Sequence, residues 1–138
     1  MHILYDPATL AVLCVMLDCH EVTAAHNRTL PNHVEHAERI PHHLIHLEPH
    51  PTDPSGKPIV SRKREFEARL DRAAVRVGEA ATIAPIPEGT EIAIGGVACG
   101  AMDATQALEF TPEVGGAYRI QLSLRGWLTL ELTLEAVP

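Results

Sequence analysis

The sequence has few aromatic residues, few basic residues and no long apolar run. Phe, Trp and Tyr make up 4% of the 138 residues, and the single tryptophan is Trp127. Acidic residues number 18 against 11 Lys and Arg, and the formal net charge is −7. Because phosphate binding needs a basic surface, this excludes nucleic acid as the main partner. The longest apolar run, Leu10–Leu17, falls short of the about 20 residues that cross a bilayer, so we expect no membrane insertion.

Cysteine and catalytic motifs are also scarce. Three cysteines, an odd number without a framework spacing, exclude a disulfide scaffold. The sequence contains no CxxC, HExxH, GxSxG, P-loop or GxGxxG motif. The segment "DCHE", Asp18 to Glu21, brings a thiol, an imidazole and two carboxylates together in sequence, but catalytic groups must converge in space. We therefore predict that the chain is not an enzyme and needs no cofactor.

Alternating apolar and polar residues in the C-terminal half predict strands. Residues 118–125 and 128–135 alternate with period two, which predicts a terminal hairpin with one buried face. About seven short strands with turn signals every 8–12 residues are typical of a small antiparallel sandwich. Gly116, two residues before Tyr118, is part of the tyrosine-corner pattern of immunoglobulin-like domains. Residues 62–138 are therefore predicted to form an immunoglobulin-like β-sandwich.

The N-terminal part, residues 1–61, is predicted to be a hairpin followed by a His- and Pro-rich arm. His2–Tyr5 and Leu10–Leu17 are the two strands, joined by the turn "DPAT". Because the second strand is apolar on both faces, we expect the hairpin to dock on another subunit. The candidate interface residues are Ile3, Tyr5, Leu10, Val12, Val15 and Leu17. Residues 18–41 are expected to be mostly irregular, with room for a short helix around Asn32–Arg39. The predicted fold class is mainly β with little helix.

Four histidines fall within nine residues of the stretch "RIPHHLIHLEPHP". Zinc needs three or four converging ligands. On a strand His42 and His46 share one face, and a turn could add His50. The competing interpretation is that "HHLIHLE" is an edge strand with its imidazoles in water. We adopt this interpretation and predict no metal, with His42, His46 and His50 as the candidates if one binds.

The single tryptophan lies at the predicted terminal hairpin turn. Trp127 is placed to stack on a sugar, but a turn aromatic more often caps the end of a sandwich core. The sequence leaves both interpretations open.

Four segments of the sequence together resemble the small tail and baseplate proteins of tailed bacteriophages. They are "ILYDPATLAVL", "HLIHLEPHPTDPSGKPIVSRKREF", "IAPIPEGTEIAIGG" and "GGAYRIQLSLRGW". The resemblance implies a structural virion protein that is made in the host cytoplasm and joins the tail tip or baseplate to fibres. It also implies other tail, baseplate or fibre subunits as partners and a symmetric homo-oligomer. The alternatives are a carbohydrate-binding sandwich at the tail tip, using Trp127 and the histidines, and a His-ligated metal-binding protein.

Overall fold

The computed structural model describes residues 1–17 and 19–138, so Asp18 of the "DCHE" segment lies outside the described residues. The chain is mainly β, with several antiparallel sheets. It divides into two compact units, Met1–Lys63 (unit 1) and Arg64–Pro138 (unit 2). The sequence placed the boundary between residues 61 and 62. None of the described helices has the length and apolar character needed to span a bilayer.

The described part of unit 1 contains five short strands, one helix and one 3-10 turn. The strands are β1 (His2–Tyr5), β2 (Val12–Met16), β3 (His33–Glu35), β4 (Ile45–Glu48) and β5 (Ile59–Arg62). Helix α1 spans Glu21–Arg28, and the 3-10 turn spans His42–Leu44. β1 is the middle strand of an antiparallel sheet with the order β2-β1-β3, and β4 pairs with β5 in a separate antiparallel pair.

The turn between β1 and β2 is held by Asp6. Its Oδ1 accepts hydrogen bonds from the backbone N–H groups of Ala8 at 2.8 Å and Thr9 at 3.3 Å. Leu10 then adopts a φ of 60°, in the left-handed region that favours glycine. The sequence predicted a two-stranded hairpin in a separate arm. Because β1 also pairs with β3, the N-terminal segment is instead part of a three-stranded sheet.

Three local predictions for unit 1 are wrong. Residues 21–28, expected to be irregular, form α1, and its only buried residues are Ala24 and Asn27, too few to give a clear helical pattern in the sequence. The segment considered for a short helix contains β3 instead, because its backbone pairs with β1. The strand read from "HHLIHLE" starts only at Ile45, because Pro41 precedes a 3-10 turn.

Unit 2 is built from eight strands. They are β6 (Arg69–Leu70), β7 (Ala74–Arg76), β8 (Ala81–Ala84), β9 (Glu91–Ile94), β10 (Val97–Ala101), β11 (Leu108–Phe110), β12 (Gly116–Ser123) and β13 (Leu130–Val137). One sheet has the order β10-β9-β12-β13-β7, in which only the β13–β7 pair is parallel, and the other has the order β11-β8-β6. β12 and β13, the two strands with the clearest period-two pattern, pair antiparallel, with Ile120 opposite Leu132.

The core of unit 2 takes apolar side chains from both of its sheets. Ile83 of the three-stranded sheet and Ile120, Leu122 and Leu134 of the five-stranded sheet are fully buried in one cluster. Inward residues of β12 alternate with exposed ones such as Arg119, as expected of a strand with one wet face. Packing between the sheets therefore supplies the main stabilisation of unit 2.

Candidate interaction surfaces

The outer edge of β2 is the first candidate surface. β2 is the last strand of its sheet, and no other described strand pairs with its far side. Leu13 is 60% exposed, and Leu17, just after the strand, is 47% exposed. Cys14 is also exposed, while Val12 and Val15 are half-buried. The strand therefore presents apolar side chains and an open backbone edge to solvent.

The six candidate interface residues separate into two groups. Ile3 and Tyr5 are only 0% and 6% exposed, because β1 is the central strand and packs within unit 1 itself. These two side chains therefore belong to the core of unit 1 and offer no surface. Leu10, Val12, Val15 and Leu17 retain exposed or half-exposed surface along the β2 side of the sheet. Sequence reasoning missed Leu13, because its exposure depends on which face of β2 the rest of unit 1 covers.

The histidines of the stretch "RIPHHLIHLEPHP" are partly brought together. His42, His43 and His46 line a cavity of about 330 Å³ in unit 1, together with Lys63. His46 is the most enclosed of them, with its Nε2 3.2 Å from Oε1 of Glu48. The remaining apolar lining comes from Leu10, Ala11, Val12, Ile45 and Leu47.

His50 does not point into the same site as His42 and His46. Its Nδ1 accepts backbone hydrogen bonds from Thr52 at 3.4 Å and Asp53 at 3.0 Å, within the proline-rich loop. Across residues 1–17 and 19–138, no group of three or more His, Cys, Asp or Glu could hold a metal ion. The geometry therefore gives the metal-binding alternative no site in the described part of the chain.

A buried histidine pair joins β1 to β3. Nδ1 of His2 lies 3.0 Å from Nε2 of His33, and the two rings stack with centroids 5.2 Å apart. His33 is 1% exposed, and its Nδ1 finds no hydrogen-bond partner among the described residues. The sequence carried no signal for this pair, because it depends on the register between strands 31 residues apart.

Charged groups surround the histidine pair. Oε1 of Glu35 lies 3.7 Å from Nε2 of His2, and Nζ of Lys57 donates to the backbone oxygen of His33 at 2.7 Å. Arg28 forms two hydrogen bonds with Glu35, at 3.1 and 3.2 Å, which hold the pKa of that carboxyl below its usual range. Burial lowers the pKa of His33, and the positive charge of Lys57 lowers it further.

Trp127 lines a cavity in unit 2. The cavity measures about 320 Å³, and its other lining residues are Glu65, Glu67, Pro85, Pro87 and Gln106. Phe66 packs on the half-buried indole at 5.1 Å between ring centroids, and the guanidinium of Arg64 lies 5.8 Å from the indole centroid. A tryptophan, two glutamates and a glutamine thus line a common space.

The wall of this cavity is held in a constrained conformation. Gln106 adopts a φ of 57°, a left-handed conformation that is uncommon for residues other than glycine. Its backbone oxygen accepts a hydrogen bond from Ile86 N at 2.8 Å, which ties the Gln106 segment to the segment that carries Pro85 and Pro87. Gln106 therefore lines the cavity from a backbone that is held in place.

No family model, no curated protein and no solved structure matches this chain. Within the described residues, the edge of β2 and the Trp127 cavity are two surfaces that could bind a partner or a ligand.

Proposed function

We propose that the chain is a structural, non-enzymatic subunit of a phage tail tip or baseplate. In this proposal it docks on neighbouring tail or fibre subunits through the edge of β2 and resides in the virion. The observation that carries the proposal is the open edge of Val12–Met16. Proteins usually protect exposed edge strands with charges or proline, because an open edge pairs readily with another chain. This strand contains neither.

The energy of such a contact comes from two sources. Full burial of a leucine side chain is worth about 1.5–3 kcal/mol, so covering the exposed parts of Leu13 and Leu17 contributes roughly 1 kcal/mol each. Backbone hydrogen bonds along the edge add about 0.5–1.5 kcal/mol each. A contact of this size is weak when isolated and becomes stable when it is repeated in a symmetric assembly, as the resemblance to tail proteins implies.

We also propose an immunoglobulin-like topology for unit 2, as the domain that holds the subunit's shape. In support, β8 pairs with β11 in one sheet, while β9, β12 and β13 are neighbours in the other, which is the B–E and C–F–G arrangement of that fold. The hydroxyl of Tyr118 donates to the backbone oxygen of Val114 at 2.7 Å, four residues upstream. This bond at the start of β12 matches the tyrosine corner expected at strand F.

Substitution of Leu13 by Lys tests the docking edge. Because Leu13 is mostly exposed, L13K is expected to leave the free energy of unfolding within about 0.5 kcal/mol of the unsubstituted chain. It should nevertheless reduce incorporation into tails at least tenfold, because a charge at the edge opposes strand pairing. The measurement is the amount of the chain in purified tails of the phage that encodes it, by quantitative mass spectrometry.

The matched control for L13K is Val97→Lys. Val97 is 67% exposed and lies on β10, the edge strand of the five-stranded sheet in unit 2. V97K adds the same charge to another exposed edge and should not affect incorporation. If the unsubstituted chain is absent from tails, the proposed function is wrong. If L13K and V97K behave alike, docking does not use β2.

Carbohydrate binding at the tail tip is a second candidate, favoured by the Trp127 cavity. Sugar rings pack their C–H faces on aromatic rings, and their hydroxyls donate to carboxylates and amides. Trp127, Glu65, Glu67 and Gln106 supply those groups around one space. The histidines contribute nothing to this cavity, because its lining comes from unit 2 alone.

A glycan array of bacterial surface saccharides tests this candidate. Trp127→Ala should lower the affinity for any bound saccharide by at least tenfold, and Glu67→Gln should lower it less, because an amide still accepts a hydrogen bond. Trp127→Phe keeps an aromatic ring beside Phe66 and serves as the control for folding. Binding that survives W127A unchanged, or no binding on the array, rules the cavity out as a sugar site.

A further inference from the structure

The backbone hydrogen bonds of β1 show which of its residues direct their N–H and C=O groups toward β3. The backbone N–H of His36 donates to the oxygen of Met1 at 3.0 Å, and the N–H of Tyr5 donates to the oxygen of Asn32 at 3.0 Å. Met1 and Tyr5 therefore direct their backbone groups toward the β3 side. The direction of the backbone N–H and C=O groups alternates along a strand. The even-numbered residues of β1, such as Leu4, therefore direct these groups toward β2.

The same alternation fixes the direction of Val15. Leu4 lies opposite Cys14, and His2 lies opposite Met16. Because Leu4 and His2 direct their backbone groups toward β2, their partners Cys14 and Met16 direct their own N–H and C=O groups toward β1. Val15, between them, therefore directs its N–H and C=O away from β1, to the open edge.

We infer that β2 pairs antiparallel with β2 of a second copy of this chain, about a two-fold axis at Val15. The inference rests on the proposed role of β2 as a docking edge and identifies its binding partner as a second copy of the chain. In this register the two Val15 residues exchange N–H to C=O hydrogen bonds across the axis. Leu13 lies opposite Leu17 of the second copy, and Cys14 lies opposite Met16 of the second copy. The two three-stranded sheets become one six-stranded sheet.

A second copy fits this edge better than an unrelated partner for two reasons. The run Leu10–Leu17 carries no charge in a chain of net charge −7, so two copies meet here without like-charge repulsion. The two exposed leucines stand two residues before and two residues after Val15. A two-fold axis at Val15 therefore covers each exposed leucine with the other, which is the self-complementarity that an isologous interface requires.

A thiol introduced by Met16→Cys tests the register. In the Cys19→Ser, Cys99→Ser background, M16C places this thiol opposite Cys14 of the second copy, in a non-hydrogen-bonded pair with close Cα atoms. Treatment with diamide, which accepts the two electrons and two protons of the thiols, should join Cys14 to the introduced thiol in a disulfide dimer on a non-reducing gel. Adding Cys14→Ser should abolish that dimer. Equal dimer in both variants, or a dominant Cys14–Cys14 bond without M16C, overturns the register.

Val15→Pro provides a second test on the noncovalent dimer. It removes the outward N–H but no bond to β1, and proline is tolerated where an edge N–H faces outward. Sedimentation velocity should show dimer for the chain with Val15 and at least tenfold weaker dimerisation for V15P, with unchanged circular dichroism. A chain that stays monomeric at about 1 mM, a concentration at which even a weak contact of about −4 kcal/mol is half populated, overturns the inference.

These tests separate the inference from the proposed function. If L13K lowers incorporation into tails but M16C gives no dimer, β2 docks on another subunit and self-pairing is wrong. If M16C gives the dimer that depends on Cys14 and the chain is absent from tails, self-pairing stands and the tail function is wrong.

Discussion

Acidification from about pH 7.5 to about pH 5, across the usual titration range of histidine, is expected to destabilise unit 1 while unit 2 keeps its fold. The expected cause is protonation of His33, which is buried against His2. The 3.0 Å contact between the two rings needs an N–H on one nitrogen and a lone pair on the other. A protonated His33 carries N–H on both ring nitrogens, so its Nδ1, which has no described hydrogen-bond partner, is left as an unpaired donor on a buried charge.

The charges around the pair oppose protonation of His33. The ammonium of Lys57 is held on the backbone oxygen of His33, and Arg28 lies beyond Glu35; both are positive. Glu35 is the one neighbour that favours a cation, but its hydrogen bonds to Arg28 already offset much of its charge. Burial and these positive neighbours together place the pKa of His33 below the ordinary value of 6.5.

The sign of the effect follows from linkage. Because the pKa of His33 is lower in the folded chain, the unfolded chain binds the proton first as the pH falls. The contribution of His33 to stability is complete above about pH 6.5 and is lost as the pH falls from there through the folded pKa. Arg28 holds the pKa of Glu35 low, so Glu35 stays ionised through this window and does not contribute to the loss.

Hydrogen exchange read by mass spectrometry separates the two units. Peptides from residues 1–63 should lose protection below about pH 6.5 after correction for intrinsic exchange rates, and peptides from residues 64–138 should not. His33→Gln is the control, because glutamine retains a hydrogen-bonding end and does not titrate. A loss of protection in unit 1 that persists unchanged in H33Q would show that other groups are responsible.

Truncation of Ile120 is expected to give the largest loss of stability in unit 2. Ile120 is fully buried at the centre of β12, where its neighbours across the sheet are Leu132 of β13 and Ile94 of β9. I120A removes buried apolar surface and leaves a cavity, which costs about 2–5 kcal/mol. This is a large part of the about 5–15 kcal/mol that stabilises a typical domain. Urea denaturation followed by the fluorescence of Trp127, the sole tryptophan, reports on this unit.

Arg119→Ala is the matched control, one residue away on the opposite face of β12. Arg119 is exposed, and its Nε lies 3.2 Å from Oε1 of Glu131, an ion pair on the surface. Such pairs contribute at most about 1 kcal/mol. If I120A lowers the urea midpoint no more than R119A does, Ile120 is not in the core and the sheet packing of unit 2 is wrong.

The candidate surfaces were predicted from sequence to different degrees. Trp127 and the apolar run Leu10–Leu17 drew attention because an isolated tryptophan and an uncharged run are visible without coordinates. The residues that surround Trp127 in the folded chain could not be predicted from the sequence. Glu67 and Gln106 join Trp127 from segments separated by up to about 60 residues in sequence, and only the packing of unit 2 brings them to one cavity.

The sequence alone determined the strands whose pattern is strictly local. Period-two alternation over residues 118–125 and 128–135 specifies β12 and β13, because one face must be apolar to be buried, and "DPAT" specifies the first turn through its Asp and Pro. Only the tertiary structure decided the rest: helix α1, whose two buried residues give no clear pattern; the parallel β13–β7 pair; and the His2–His33 contact. These features depend on register and packing between segments that are distant in sequence. The free energy of such contacts cannot be read from the residues of one segment alone.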